Sequence, residues 1–403
     1  MPRVPADQPP VIRRAGRRRE QPQARHLRGL GQDRRAETIH DDLTARALAL
    51  KDEQTTLVLA ALDLIGFFRL HALEVIRRVN ERAPGVRVIV ASIHTHHGPD
   101  TIGLWGPDLK TSGVDPSYVA VVKDKLVAII LQALEETRPA RIKAASRSVP
   151  GLAKNARNPE VVDDELLAAQ FVGQDGKPLA SLFNFPCHPE VLWEHNPHIT
   201  ADYPGVLRRE VEAASGAPCI FFAGALGGMM TPDVRDHSFE EAEHMGKTLA
   251  MAGLEALDSA KSSQPEAVSI QKLEVDVKLT NILYKLAFRR TLLPDARNRR
   301  GEVTTEVNLV KLGDLWLATV PGELLPKLGL ALKADLREAG ARVAGILGLA
   351  NDELGYILPE EEFRFPWNPF RPGKHYEETN SVSKNIGPIL VAAFRQLLQP
   401  GSS

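Results

Sequence analysis

Twelve histidines occur in the 403 residues of the chain, and half of them crowd into two short windows. The first is Ile93-His94-Thr95-His96-His97-Gly98-Pro99-Asp100. The second is Phe185-Pro186-Cys187-His188-Pro189-Glu190, with His195, His198 and Asp202 close behind. On extended backbone residues i and i+2 point to one side, so the rings of His94 and His96 are expected to face a common point. A carboxylate and a phenol follow later, at Glu323 in Pro321-Gly322-Glu323 and at Tyr356 after Ala350-Asn351-Asp352-Glu353. Nitrogen and oxygen donors of this kind suit Zn²⁺ with an open position for water. Each has a plainer reading: a histidine at a strand end is more often a hydrogen-bonded turn residue. Glu323 could favour the first turn of a helix, and Tyr356 could be an ordinary half-buried tyrosine. Their recurrence after successive apolar runs carries the argument.

Those runs must position the groups. Apolar stretches suited to buried strands lie at 56–65, 86–93, 166–172, 179–185, 219–223, 307–311, 315–320 and 342–349. His94 follows the second of them, His188 the fourth and Glu323 the seventh, while the stretch leading to Tyr356 follows the last. Helical patterns lie between many of them: one opened by Asp115-Pro116, one from Ser238 with Glu241 in a capping box, and others at 203–215, 322–338 and 377–398. This alternation predicts an α/β fold, with a mixed, largely parallel sheet, flanking helices and the metal site at the carboxyl ends of strands. Residues 262–310 read instead as an antiparallel hairpin. No repeat or long linker divides residues 37–403, which are expected to form a single large catalytic domain.

Composition narrows the classes. Fifty basic residues face 51 acidic ones, which gives no reason to expect nucleic acid as partner. Two cysteines cannot build a disulfide framework, and no run approaches the ~18–20 apolar residues of a membrane span. A cytoplasmic location follows by default. The 5% aromatic content and the lack of a basic amphipathic helix offer no evident lipid-docking patch. Residues 1–36 stand apart, with ten arginines and no apolar periodicity; they read as a disordered tail or as non-native sequence.

From His40 to Tyr376 the chain resembles the neutral/alkaline ceramidase family. His-Thr-His-x-Gly-Pro at 94–99, Asn184–His188, Gly322-Glu323, Asn351 to Tyr356 and His375-Tyr376-Glu377 occur in the family's order. The resemblance implies Zn²⁺ held by His94, His188, Glu323 and Tyr356, with His96 near the reacting water. It also implies active-site roles for Arg157, Tyr376 and Thr231. The implied activity is hydrolysis of the amide bond of a small-molecule or lipid-like N-acyl substrate, ceramide-like or smaller, by zinc-activated water. Departures from the family are His97, Met229 and Thr231 at positions usually Ser, Asp and Ser, and an insertion from Phe363 to Lys374 bearing Phe365, Trp367 and Phe370. The family's C-terminal β-sandwich domain has no counterpart here.

Other readings use the same residues. An esterase or lactonase could share the zinc site, and a degenerate non-catalytic binding protein could share the fold. A two-metal phosphoesterase would add Asp100 and Asp202 as ligands. A cysteine hydrolase on Cys187-His188 is poor, because adjacent strand residues face opposite ways. Asp202 is the expected partner of a ligating histidine.

Overall fold

A computed structural model describes residues 3–5 by their backbone, and 33–108, 110–262, 267–290, 292–293, 298, 300–364 and 376–399. Most of the arginine-rich stretch, Phe365, Trp367, Phe370 and His375 lie outside the described residues. The chain opens with β1 (Arg3–Pro5), β2 (Thr38–Ile39), β3 (Ala45–Lys51), β4 (Thr56–Leu62), α1 (Arg69–Asn80), β5 (Arg87–Ser92) and α2 (Pro116–Glu135). It continues through β6 (Thr137–Ser148), β7 (Ala153–Asn155), β8 (Glu165–Gly173), β9 (Pro178–Phe185), β10 (His198–Ile199), α3 (Tyr203–Ser215), β11 (Cys219–Ala223), β12 (Met230–Pro232) and α4 (Phe239–Ser259). Next come β13 (Val268–Lys278), α5 (Ile282–Arg289), β14 (Glu302–Leu312), β15 (Leu315–Thr319), β16 (Glu323–Leu324), α6 (Pro326–Glu338) and β17 (Val343–Leu347). It ends with β18 (Tyr356–Ile357), α7 (Tyr376–Thr379) and α8 (Ile386–Leu397).

Two sheets carry the α/β fold. The first has eight strands in the order β11-β9-β8-β6-β1-β3-β4-β5 and the second four, β13-β14-β15-β17. The sheets are mixed, as expected, but not largely parallel. Only β4–β5, β9–β11 and β15–β17 run parallel within them; their other pairings are antiparallel. Apolar runs announce burial on both faces but not the direction of a neighbour.

Alternation along the strands sorts side chains between cores. Leu57, Leu59 and Ala61 of β4 face the large central core, while Val58, Ala60 and Leu62 face α1 and α2. On the second sheet, Val310, Leu315, Leu317 and Val343 join that same central core, whereas Val307, Leu309, Ala318 and Ile346 pack with α6 and α8. The two sheets therefore stack face to face, with helices outside. Cys187 and Cys219 are buried small residues in this core.

Caps explain the helix starts. Asp115 accepts from the Ser117 and Tyr118 N–H groups, with Pro116 in the first turn of α2. Ser238 accepts from the Glu241 N–H, but the Glu241 carboxylate turns to Arg235 instead of closing the box. The helix expected at 322–338 begins only at Pro326, because Glu323 and Leu324 form β16, parallel to β18. The hairpin expected at 262–310 exists as β13–β14, with the unforeseen helix α5 between its strands.

Candidate metal centre

His94 follows β5 with φ at +71°, a left-handed conformation uncommon for a residue with a side chain. Its N–H donates to the Leu64 carbonyl at 2.9 Å and its Nδ1 lies 2.6 Å from the Ile65 carbonyl. The strand has already ended at Ser92, so this bend, not strand alternation, brings the His94 and His96 rings to 5.1 Å between centroids. His188 follows β9. Its N–H and its Nδ1 both meet the Met230 carbonyl, at 2.8 and 2.9 Å. The His188 ring lies 5.0 Å from that of His94 and 5.4 Å from that of His96.

Pinning each Nδ1–H on a backbone carbonyl leaves Nε2 as the lone-pair nitrogen in both rings. The two nitrogens meet one oxygen: Glu323 Oε2 stands 3.4 Å from His94 Nε2 and 3.1 Å from His188 Nε2. Lone pairs facing a carboxylate repel unless both rings are charged or a cation lies among them. Two buried imidazolium rings 5.0 Å apart would be costly, so the donor set fits a metal ion. Burial opposes charge on Glu323, yet His94 and His188 hold its carboxyl well below the usual range. Burial likewise opposes charge on His188, but Glu190 and Glu323 hold that ring above its ordinary value.

Tyr356 arrives on β18, in register with Glu323 on β16, so both side chains leave the same side of the pair. Its hydroxyl meets Met229 Sδ at 3.4 Å. Met229 sits in a turn where both Gly228 and Met229 have positive φ, 67° and 56°. A Cβ on neighbouring Gly227 would run into the Glu323 carbonyl oxygen, so this turn packs directly against the strand bearing the carboxylate.

One nitrogen each of His94, His96 and His188 lies within 4.8 Å of the others, a group that could itself hold a metal. His96, too, is engaged on its Nδ1 side. Its Nδ1 is 2.9 Å from Glu190 Oε2 and its N–H donates to the Pro189 carbonyl at 3.1 Å. His94, His96 and His188 thus form the group that could hold an ion, with Glu323 Oε2 within 3.4 Å of two of them.

Arg157 stands where the chain leaves β7. Its Nη1 donates to Glu377 at 2.7 Å and Glu378 at 3.1 Å, and its Nη2 to Glu378 at 2.9 Å and the Glu362 carbonyl at 2.8 Å. Burial lowers its pKa, but Glu378 and Glu377 outweigh that and raise it above the ordinary value. Tyr376, at the start of α7, stacks edge-on against Tyr356 with centroids 5.7 Å apart. Thr231 lies in β12 opposite Lys154, next to the Met230 carbonyl that holds His188. A cleft opens onto Glu323, Glu353, Tyr356 and Tyr376, with Phe68, Ile102, Leu104, Trp105, Tyr284 and Leu293 as its apolar lining.

Two solved structures share this architecture. One, described as neutral ceramidase from Pseudomonas aeruginosa, matches with a TM-score of 0.74 over 93% of this chain and 71% of its own, at 19% identity. The other, a ceramidase complexed with C2, matches with a TM-score of 0.74 over 93% and 72%, at 17% identity. The fold is that of the neutral ceramidases. No protein-family pattern and no curated protein matches the sequence.

Within this ceramidase fold, further residues stand beside those the sequence singled out. Glu190, next in sequence but one to His188, is the carboxylate beside His96. Asp202 instead lies 3.4 Å from His97 Nε2 and caps α3. Asp100 is spent on the N–H groups of Ile102, Gly103 and Trp105. Both carboxylates that a second metal would need thus have other partners. Burial pushes the Cys187 thiol well above its ordinary pKa, which removes it as a nucleophile. No helix among the described residues is long and apolar enough to cross a membrane.

Proposed function

We propose that the chain is a zinc-dependent hydrolase that cleaves the amide bond of an N-acylated, ceramide-like or smaller substrate. The observation that carries this reading is the presentation of two carbonyl-pinned histidines to a single buried carboxylate oxygen. His94, His188 and Glu323 would hold the ion, with Tyr356 as the fourth donor beside Glu323. When bound, Zn²⁺ supplies a Lewis acid and lowers the pKa of water to about 7.

The chain's own groups would do the rest. His96, whose Nδ1 lies 2.9 Å from Glu190 Oε2, would use its other nitrogen as the base that takes a proton and later returns it to the leaving amine. Glu190 stabilises the imidazolium in between. Tyr376 stands at the cleft, where its hydroxyl can donate to a developing oxyanion. Arg157 has its Nη donors engaged by α7 and Glu362, so its part is to hold Tyr376 in place. Thr231 would support the wall that carries the Met230 carbonyl. The apolar lining of the cleft suits an acyl chain, and ceramide is the substrate class named by the fold's relatives.

Elemental analysis of purified protein tests the reading. About one zinc per chain is expected in the parent, and none in His188→Ala. Activity is then sought on N-acyl amides and, in parallel, on esters and lactones, which the same site could attack. No metal in the parent, with no activity on adding zinc, removes the mechanism and leaves a binding protein of this fold.

A further inference from the structure

Helix α5 breaks the usual division between buried apolar and exposed polar side chains. Tyr284 and Phe288 turn inward, Tyr284 onto the cleft and Phe288 into the core between the second sheet and its helices. The outward face carries Ile282, 76% exposed, Leu283, 43% exposed, and Leu286, 40% exposed. Lys285, Arg289 and Arg290 are exposed among them, and no acidic residue occurs from Val277 to Leu293. Neither Lys285 nor Arg289 makes an ion pair among the described residues. In a chain whose net charge is −1, this is a local segregation of positive charge.

Position gives the face its meaning. The Tyr284 hydroxyl donates to the Leu354 and Asn380 carbonyls at 3.3 and 3.1 Å, which fixes the helix to the segments bearing Tyr356 and Tyr376. Tyr376, 40% exposed, marks the open side of the same cleft. Apolar side chains interleaved with cations, without acids, are what an interfacial helix offers a lipid headgroup layer. The face borders a cleft with an apolar lining, which favours a lipid surface over an acidic protein partner.

We propose that the outward face of α5 docks on an anionic lipid surface, so that the cleft opens toward the bilayer. The proposal extends the hydrolase reading by stating where a lipid-like substrate enters. Its binding test does not depend on that reading.

Flotation of the full chain with vesicles of equimolar phosphatidylcholine and phosphatidylserine supplies the test. The parent should float with them, and far less with phosphatidylcholine alone. Ile282→Asp with Leu286→Asp, and separately Lys285→Glu with Arg289→Glu, should each lower the bound fraction about tenfold at unchanged melting temperature. Salt near 1 M, where the Debye length is ~3 Å, should release the protein in part. A parent that stays in solution, or variants that float like it, overturns the proposal. So does a dimer that Ile282→Asp converts to monomer without any vesicle binding. Protein stripped of metal should float equally, so failure of the hydrolase reading would leave this result standing.

Discussion

Glu190 places a carboxylate that solvent barely reaches against the His96 ring, at 2.9 Å from Nδ1. Glu190→Gln keeps the shape and an acceptor but removes the charge that steadies a protonated ring. We expect kcat to fall by about 10²-fold with zinc content unchanged, measured by steady-state kinetics beside elemental analysis. Loss of zinc together with kcat would instead make His96 a ligand. At this scale the histidine windows were legible, because imidazoles clustered after apolar runs have few other uses. Glu190 was in view as His188-Pro189-Glu190, yet its direction was not. The Cys187–Glu190 turn, with the Glu190 N–H on the His188 carbonyl at 3.0 Å, decides which ring its carboxylate meets. The convergence of His94 and His96 was expected for a different reason from the one found, since a left-handed φ replaces strand alternation.

Among elements, β12 and the turn before it hold the centre together. The Gly227 N–H donates to the Leu324 carbonyl at 2.9 Å, the Met230 carbonyl holds His188, and Gly228 and Met229 accept from the Arg157 and Ala156 N–H groups. Gly227→Ala would push a methyl against the backbone of β16, at a cost of about 1–3 kcal/mol. Denaturant midpoints should register that loss. Zinc content should fall with it, because the displaced strand carries Glu323. Most strands were legible from their apolar runs, and α3 matched its expected span at Tyr203–Ser215. Strand direction was not, because periodicity reports which faces are buried and says nothing about which neighbour is paired. Helix α5 escaped notice because eight residues make only about two turns, too few for a 3.6-residue period to stand out beside the alternating strand patterns around it.

Across the whole molecule, a polar network joins the two sheets, because Asn351 accepts from the Val90 N–H of β5 at 2.8 Å and donates to Glu306 of β14 at 2.8 Å. Arg69, at the start of α1, reaches Glu306 on β14 and Glu274 on β13, while Asp352 accepts from the Arg69 N–H at 3.1 Å and the Thr305 hydroxyl at 2.9 Å. Burial raises the Asp352 carboxyl to about 6, against the hydrogen bonds it accepts. A carboxyl raised on folding binds more protons in the native state between the unfolded pKa, about 3.9, and 6, so its contribution to stability is lost as pH rises through that window. Asp352→Asn should therefore compare better with the parent at pH 7 than at pH 4, by up to about 3 kcal/mol in urea unfolding. A constant difference across that range would assign the shift elsewhere. No local pattern announced this network, whose members come together only once both sheets are stacked. The same stacking seals two sulfhydryls inside the central core, Cys187 one residue before a proposed ligand and Cys219 on an edge strand of the larger sheet. Sealed thiols react with an alkylating reagent only while their surroundings are open. The chain thus carries two built-in clocks, one timing the opening of the candidate metal centre and the other the parting of the sheet. The interval between their readings would measure how far the centre breathes independently of the fold that holds it.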